Sequence, residues 1–243
     1  PFPQPLTGLR SSAVTVGRTV VLLLNPNHDP AQTINHFRRH LAHEMFHFYL
    51  PNAFHIRENF DWFWEGFTRY VALMTLARLN LLTLDEYLDA INGEYEAYLR
   101  NPQRGQLSLI EASQDKFSSL ANYDLVYRKG MLVAALYDLE LRWQSQAQLN
   151  LFEVMKTLYA TYASSERQVG NREVLAELGK PGDFARLIRE DIQGTREIAL
   201  AERVKQYGLK LELPSAKQVR AKLTAATRLS QRQQTILSGL AGK

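Results

Sequence analysis

Helical periodicity dominates the chain after its first 30 residues and limits the fold more than any other feature. Apolar residues recur at helical spacing from about Gln32 to Tyr49, just before Pro51, and again from Asp61 to about Asn80. The capping-box pattern Thr83-Leu-Asp-Glu86 predicts a third helix that reaches about Arg100. Further helices are predicted at 125–145, 151–163, 171–178 and 184–193. The expected core contacts of the second helix are Trp62, Phe63, Phe67, Val71 and Met74.

The predicted β structure is small and lies near the start. Two β-branched runs, Ala13–Val16 and Thr19–Leu24, flank Gly17-Arg18, a pattern typical of a hairpin. The expected fold class is therefore mainly α with a small β portion.

Composition narrows the kinds of site that the 243-residue chain can build. It has no cysteine, which excludes disulfides, thiolate metal sites and cysteine nucleophiles, so a metal must be held by His, Asp or Glu. No apolar run reaches the roughly 18 residues that a membrane span needs. Because the chain starts at Pro1, we expect its natural start to be missing. The sequence does not determine the cellular compartment of the protein. An extracytoplasmic location (secreted or periplasmic) is one of the alternatives.

The positive charge is concentrated at the end of the chain. The formal net charge is +4, and residues 215–243 contain six basic and no acidic residues. Such a segment can attract nucleic acid, but it lacks interleaved aromatic residues. We predict a solvated basic helix or linker at 215–243 and no nucleic-acid partner. The oligomeric state is left open.

The pentad His43-Glu44-Met45-Phe46-His47 is H-E-x-x-H within a predicted helix. Residues four apart lie one turn apart, so both imidazoles can reach one ion, while Glu44 can act as general base beside it. The alternative is a helix with solvent-facing histidines, since His36 and His40 share this face. We expect those two at the surface or beside the ligands.

Two histidines leave a catalytic zinc site one protein ligand short. Glu65 follows on the next helix, among the bulky aromatic residues of Trp62-Phe63-Trp64-Glu65. A buried carboxylate is costly unless it is paired, hydrogen-bonded or metal-bound. The alternative is a solvent-facing glutamate. We predict one Zn²⁺ per chain, held by His43, His47 and Glu65.

These motifs resemble the gluzincin metallopeptidases, whose ligands are two helical histidines and a downstream glutamate. H-E-M-F-H followed by W-F-W-E-G-F-T-R-Y is most similar to the glycyl aminopeptidase family, and more distantly to the alanyl aminopeptidase and leukotriene hydrolase group. The likeness runs from about Gly8 to Glu212 and includes Leu84–Leu88, Ser108–Ser113 and Tyr127-Arg-Lys-Gly130.

The resemblance implies a zinc peptidase that acts on peptides or proteins, with a thermolysin-like catalytic domain followed by a helical domain. The chain is accordingly predicted to divide into four parts. They are a hairpin and substrate-edge stub at 1–30, the catalytic helices at 31–145, a helical region at 146–214 and the basic tail at 215–243. It also implies that Tyr127 donates its hydroxyl to the developing oxyanion. A packing role is the alternative, and Tyr123 is a lesser candidate.

The segment expected to border the bound substrate differs from the corresponding segment of the family. Relatives carry a glycine-rich segment with a glutamate that holds the substrate's amino group, and Arg10 stands at that place here. Gly8, Leu9 and Arg10 are the candidate substrate-binding residues. Three alternatives stay open. The first is an aminopeptidase-like enzyme in which another acid, such as Glu58, holds the amine. The others are an endopeptidase or non-classical exopeptidase, and a non-catalytic metal-binding module.

Overall fold

The computed structural model describes residues 11–24, 30–213 and 220–240, and helices make up most of them. The helices are α1 (Pro30–Phe46), a π-helical segment (Trp62–Phe67) that continues into α2 (Thr68–Arg78), α3 (Leu84–Leu99), α4 (Leu109–Gln114), α5 (Leu120–Gln144), α6 (Leu151–Tyr162) and α7 (Asn171–Gly179). After them come α8 (Ala185–Leu187) with a second π-helical segment (Ile188–Ile192), α9 (Leu200–Arg203) with a 3-10 turn (Lys205–Tyr207), and α10 (Gln231–Leu240). The predicted fold class, mainly α with a small β portion, is confirmed.

Three short strand pairs supply the β structure of the described residues. β1 (Ser11–Val16) and β2 (Thr19–Leu24) form the predicted antiparallel hairpin, with Gly17 in the left-handed region at its turn. β3 (His55–Ile56) pairs in parallel with β4 (Gln168–Val169), and β5 (Leu209–Glu212) pairs antiparallel with β6 (Lys222–Ala225). These two pairs were not predicted, since they join distant or very short segments that carry little periodicity.

The helix ends follow local capping where the sequence offers it. The predicted capping box of α3 is present, with Thr83 Oγ1 accepting from the Glu86 N–H and Glu86 accepting from the Thr83 N–H. Two bounds differ from the prediction by several residues, and one helix was not predicted. α1 ends at Phe46 because the chain turns before Pro51, α5 begins at Leu120 because Ser119 caps it, and the unpredicted α4 begins at the capping box of Ser108.

The core surrounds α5, which packs most closely on the π-helical segment. The five expected core contacts of that segment and α2 are all buried. A Cβ atom on Gly66 would lie 2.5 Å from the Cα of Gly130, so the two backbones touch there. Only glycine permits this approach, and it brings the turn that carries Glu65 against the turn of α5 that carries Tyr127.

The basic tail differs from its prediction. Instead of a solvated helix or linker, residues 222–225 form β6, and α10 buries Ile236, Leu237 and Leu240. Their spacing creates one apolar helix face, which packs on the rest of the molecule. None of the helices in the described ranges combines the length and hydropathy needed to cross a bilayer. The division at residues 30, 145 and 214 stays a prediction.

Candidate metal centre

Two histidines meet where α1 ends. His43 lies in the last turn of the helix and His47 in the turn that follows, and both are buried. Their Nε2 atoms are 3.1 Å apart and the rings meet edge to face. The four-residue spacing therefore brings both imidazoles to one point, although the helix ends before the second of them.

Glu65 supplies a third ligand atom from the π-helical segment. Its Oε2 atom lies 3.2 Å from His43 Nε2 and 3.5 Å from His47 Nε2. Ligand atoms about 2.0–2.1 Å from a tetrahedral zinc are roughly 3.3 Å apart. The triangle formed by His43, His47 and Glu65 thus has the size that a single metal ion requires.

The proton positions at this triangle also favour a cation. The Leu50 carbonyl oxygen can only accept, so His47 Nδ1 donates to it across 2.9 Å. A neutral His47 then presents an Nε2 lone pair toward the Glu65 carboxylate, which is also an acceptor. A metal ion at the centre would satisfy these facing lone pairs, and the Leu50 carbonyl fixes the ring orientation that this would need.

The ionisation of the three residues is strongly coupled. Burial lowers the pKa of His43. Burial alone would raise the pKa of Glu65, but the two imidazoles hold it well below its ordinary value. Burial alone would lower the pKa of His47, but its hydrogen bond with Glu65 raises it. The centre therefore holds a charged carboxylate, a neutral His43 and a proton on His47 that a metal ion would displace on binding.

Glu44 is buried beside this triangle. Its carboxylate and the two imidazoles offer ligand atoms within 4.8 Å of one another, a wider set than the one with Glu65. Thr15 Oγ1 lies 2.7 Å from Glu44 Oε2 and 2.8 Å from the Glu44 carbonyl oxygen, so its single proton is shared between them. Glu65 is thus the better third ligand, and Glu44 suits the role of base. Nothing in the sequence indicated Thr15, because only the packing of β1 on α1 brings it there.

A buried lysine supports the glutamate ligand. Lys116 Nζ lies 3.4 Å from Glu65 Oε1 and is paired with Asp61. Because Lys116 engages Oε1, Oε2 is left to face the two imidazoles. Nothing in the sequence indicated Asp61 and Lys116 in this role, since Lys116 joins the site through tertiary packing.

Tyr127 faces the centre from α5. Its ring lies 6.3 Å from that of His43 and stacks on Tyr123 at 4.5 Å. Burial, aided by the charge of Glu65, raises the pKa of Tyr127, so its hydroxyl keeps the proton that a hydrogen-bond donor needs. The described part of the chain does not include three of the other candidates or the side chain of a fourth: Gly8, Leu9, Arg10 and His36. Glu58, the alternative amine-binding acid, accepts a hydrogen bond from the Asn171 N–H.

The family model of the M61 glycyl aminopeptidases matches residues 36–133. This stretch contains the three candidate ligands together with Glu44 and Tyr127. Over these residues, the chain is similar to the M61 glycyl aminopeptidases. The similarity to this family that the motifs indicated is therefore confirmed.

The fold is also similar to a solved structure, an aminopeptidase N family protein from Idiomarina loihiensis. The two chains are 21% identical, with a TM-score of 0.65 over 78% of this chain and 36% of the other. The present chain thus spans about a third of that longer protein. No curated protein matches the sequence.

Proposed function

We propose that this chain is the catalytic part of a zinc-dependent peptidase that hydrolyses peptide bonds in an aminopeptidase-like manner. The observation that carries the proposal is the triangle of ligand atoms from His43, His47 and Glu65, at 3.1, 3.2 and 3.5 Å. Relationship to a peptidase family supports peptides or proteins as substrates.

Zinc bound to this triangle would supply Lewis acidity, which lowers the pKa of water and polarises a carbonyl. Glu44 accepts the proton of the attacking water and passes it to the leaving amine. Thr15 engages Glu44 Oε2 and leaves Oε1 for that transfer. Tyr127 donates its hydroxyl to the oxyanion, a charge that exists only in the transition state and its neighbouring intermediate.

Two alternatives remain from the sequence. An endopeptidase or a non-classical exopeptidase is favoured if Arg10 takes the place of the amine-binding glutamate. A non-catalytic metal-binding scaffold would need the ligands but not the base. The hydrogen bond that orients Glu44 favours catalysis over a scaffold.

Metal removal tests the proposal. We expect a chelator to abolish peptide hydrolysis, and we expect stoichiometric zinc, but not magnesium, to restore it. His43→Ala and Glu65→Ala should purify without zinc, whereas Arg38→Ala, on the same helix, should retain it. Hydrolysis that persists in zinc-free protein, or full zinc in both ligand variants, would overturn the proposal. Comparing one peptide with a free and an acetylated amino end separates the aminopeptidase from the endopeptidase.

A further inference from the structure

A cavity of about 510 Å³ adjoins the metal centre and is rich in arginine. His43, Glu44 and Tyr127 contribute to its wall, so a substrate that reaches the proposed base also borders this space. The same wall contains the side chains of three arginines and one further glutamate, which are Arg39, Arg69, Arg128 and Glu94. Its charge therefore bears on which substrates the centre accepts.

Glu94 is fully occupied by two of these arginines. Arg69 Nη2 lies 2.6 Å from one of its carboxylate oxygens and Arg128 Nη1 lies 2.6 Å from the other. Burial alone would raise the pKa of Glu94, but the two guanidinium groups lower it. Asp124 lies 3.5 Å from Arg128 at the more exposed side of the cluster. Glu94 therefore has little capacity to bind a substrate ammonium.

Arg39 adds a third guanidinium without a matching carboxylate. No Asp or Glu of the described residues lies within 4 Å of its nitrogens, and burial lowers its pKa. The Nε atoms of Arg39 and Arg128 are both buried and lack a hydrogen-bond partner among the described residues. Buried donors of this kind are rare in proteins and favour an acceptor supplied by a ligand.

We propose that this cavity binds a carboxylate of the substrate, with Arg39 as the main specificity-determining residue. The carboxylate belongs either to an acidic side chain beside the scissile bond or to the free carboxyl end of a short peptide. Arginine suits both, since its planar fork donates two parallel hydrogen bonds to a carboxylate. This inference rests on the proposed peptidase function, which supplies the substrate class.

Equilibrium binding tests the inference without requiring turnover. The full chain carrying Glu44→Gln would be titrated with four matched fluorescent peptides. The peptides contain either Glu or Gln beside the scissile bond, and each version is made with a free and with an amidated carboxyl end. The same titrations would be made after adding Arg39→Gln, with Arg38→Gln as the matched control, because Arg38 is adjacent on α1 and does not line the cavity. Arg39→Gln leaves the Glu94 pairs intact, so folding should survive, and circular dichroism checks this.

We expect a carboxylate to lower the Kd by about tenfold to a hundredfold, as for a hydrogen bond to a charged group. Arg39→Gln should abolish that difference, Arg38→Gln should keep it, and added salt should reduce it. A Glu-over-Gln difference assigns the side chain, and a free-over-amidated difference assigns the carboxyl end. Equal Kd values for all four peptides, or a difference that survives Arg39→Gln, would overturn the inference. Carboxylate-selective binding combined with no hydrolysis by the wild-type chain would contradict the peptidase proposal alone.

Discussion

One carboxylate on α5, Asp138, and one packed against α5, Glu65, differ in the kind of atom that faces them. Asp138 is fully buried and meets only donors: the Tyr70 hydroxyl at 2.9 Å, Arg142 Nε at 2.7 Å and the Leu151 N–H at 2.7 Å. Glu65 Oε2 instead faces two imidazole nitrogens, of which at least His47 Nε2 presents a lone pair when neutral. Donors of the protein satisfy Asp138, whereas the imidazole nitrogens that face Glu65 Oε2 can either donate a proton to it or join it in binding a cation.

The comparison shows how a structural charge can be told from a functional one within a single fold. Both carboxylates are largely shielded from water, since Asp138 is fully buried and the Glu65 side chain is 12% exposed, so burial does not separate them. What separates them is whether the facing atoms only donate, as at Asp138, or can also bind a metal ion, as the two imidazole nitrogens at Glu65 can. The Asp138 cluster fastens α5 to α2 and to the start of α6, while the Glu65 cluster brings together candidate ligand atoms.

The largest expected difference between these two carboxylates is in the free energy of unfolding that each contributes. Asp138→Asn leaves the Arg142 charge without its partner, and we expect the free energy of unfolding to fall by about 3–5 kcal/mol. In metal-free protein, Glu65→Gln should lower it by about 1 kcal/mol, because the amide oxygen can still accept from an imidazole N–H and Lys116 keeps Asp61 as its partner. Urea denaturation in the presence of a chelator measures both. Equal losses in the two variants would break the comparison.

A second contrast lies along α5, between two tyrosines. Tyr127→Phe should lower kcat by about 10²–10³-fold, the cost of one oxyanion donor, with zinc content and stability retained. Tyr137 donates to the Leu178 carbonyl oxygen at 2.8 Å. Tyr137→Phe should therefore leave kcat unchanged and lower stability by about 1–3 kcal/mol. If Tyr127→Phe instead lowers only stability, Tyr127 is a packing residue.

The smallest expected effect concerns Thr15, which positions the base. Thr15→Val removes the hydroxyl that engages Glu44, and kcat should fall by about tenfold while zinc binding is unchanged. Thr15→Ser should restore activity, since it returns the hydroxyl. Thr19→Val is the control on the exposed turn side of the same hairpin. An equal loss in Thr15→Ser would mean that hairpin packing, rather than the hydrogen bond, supports catalysis.

Local sequence signals predicted much of the fold. The hairpin around Gly17, the capping box at Thr83 and the apolar spacing of the segment that starts at Asp61 are each encoded within a few residues. The capping box of Ser108 and Glu111 is encoded just as locally, although α4 was not among the predicted helices. The spacing of Ile236, Leu237 and Leu240 likewise predicts the apolar face of α10.

The rest depended on tertiary contacts. The π-helical turn at Glu65 is held where Gly66 meets Gly130, and no local pattern encodes that approach. H-E-x-x-H predicted that His43 and His47 would meet, the aromatic neighbours of Glu65 predicted a third ligand, and family resemblance pointed to Tyr127. Thr15, Lys116 and the unmatched Arg39 become visible only when separate elements are brought together.

Turnover and zinc content measured on the same Glu44→Gln sample test the central claim most directly. If His43, His47 and Glu65 are the ligands and Glu44 is the base, the variant should retain one zinc per chain and lose about 10²–10⁴-fold in kcat. Loss of zinc would instead make Glu44 a ligand, as its position within 4.8 Å of both imidazoles also permits. Unchanged kcat with full zinc would contradict the assignment of the base.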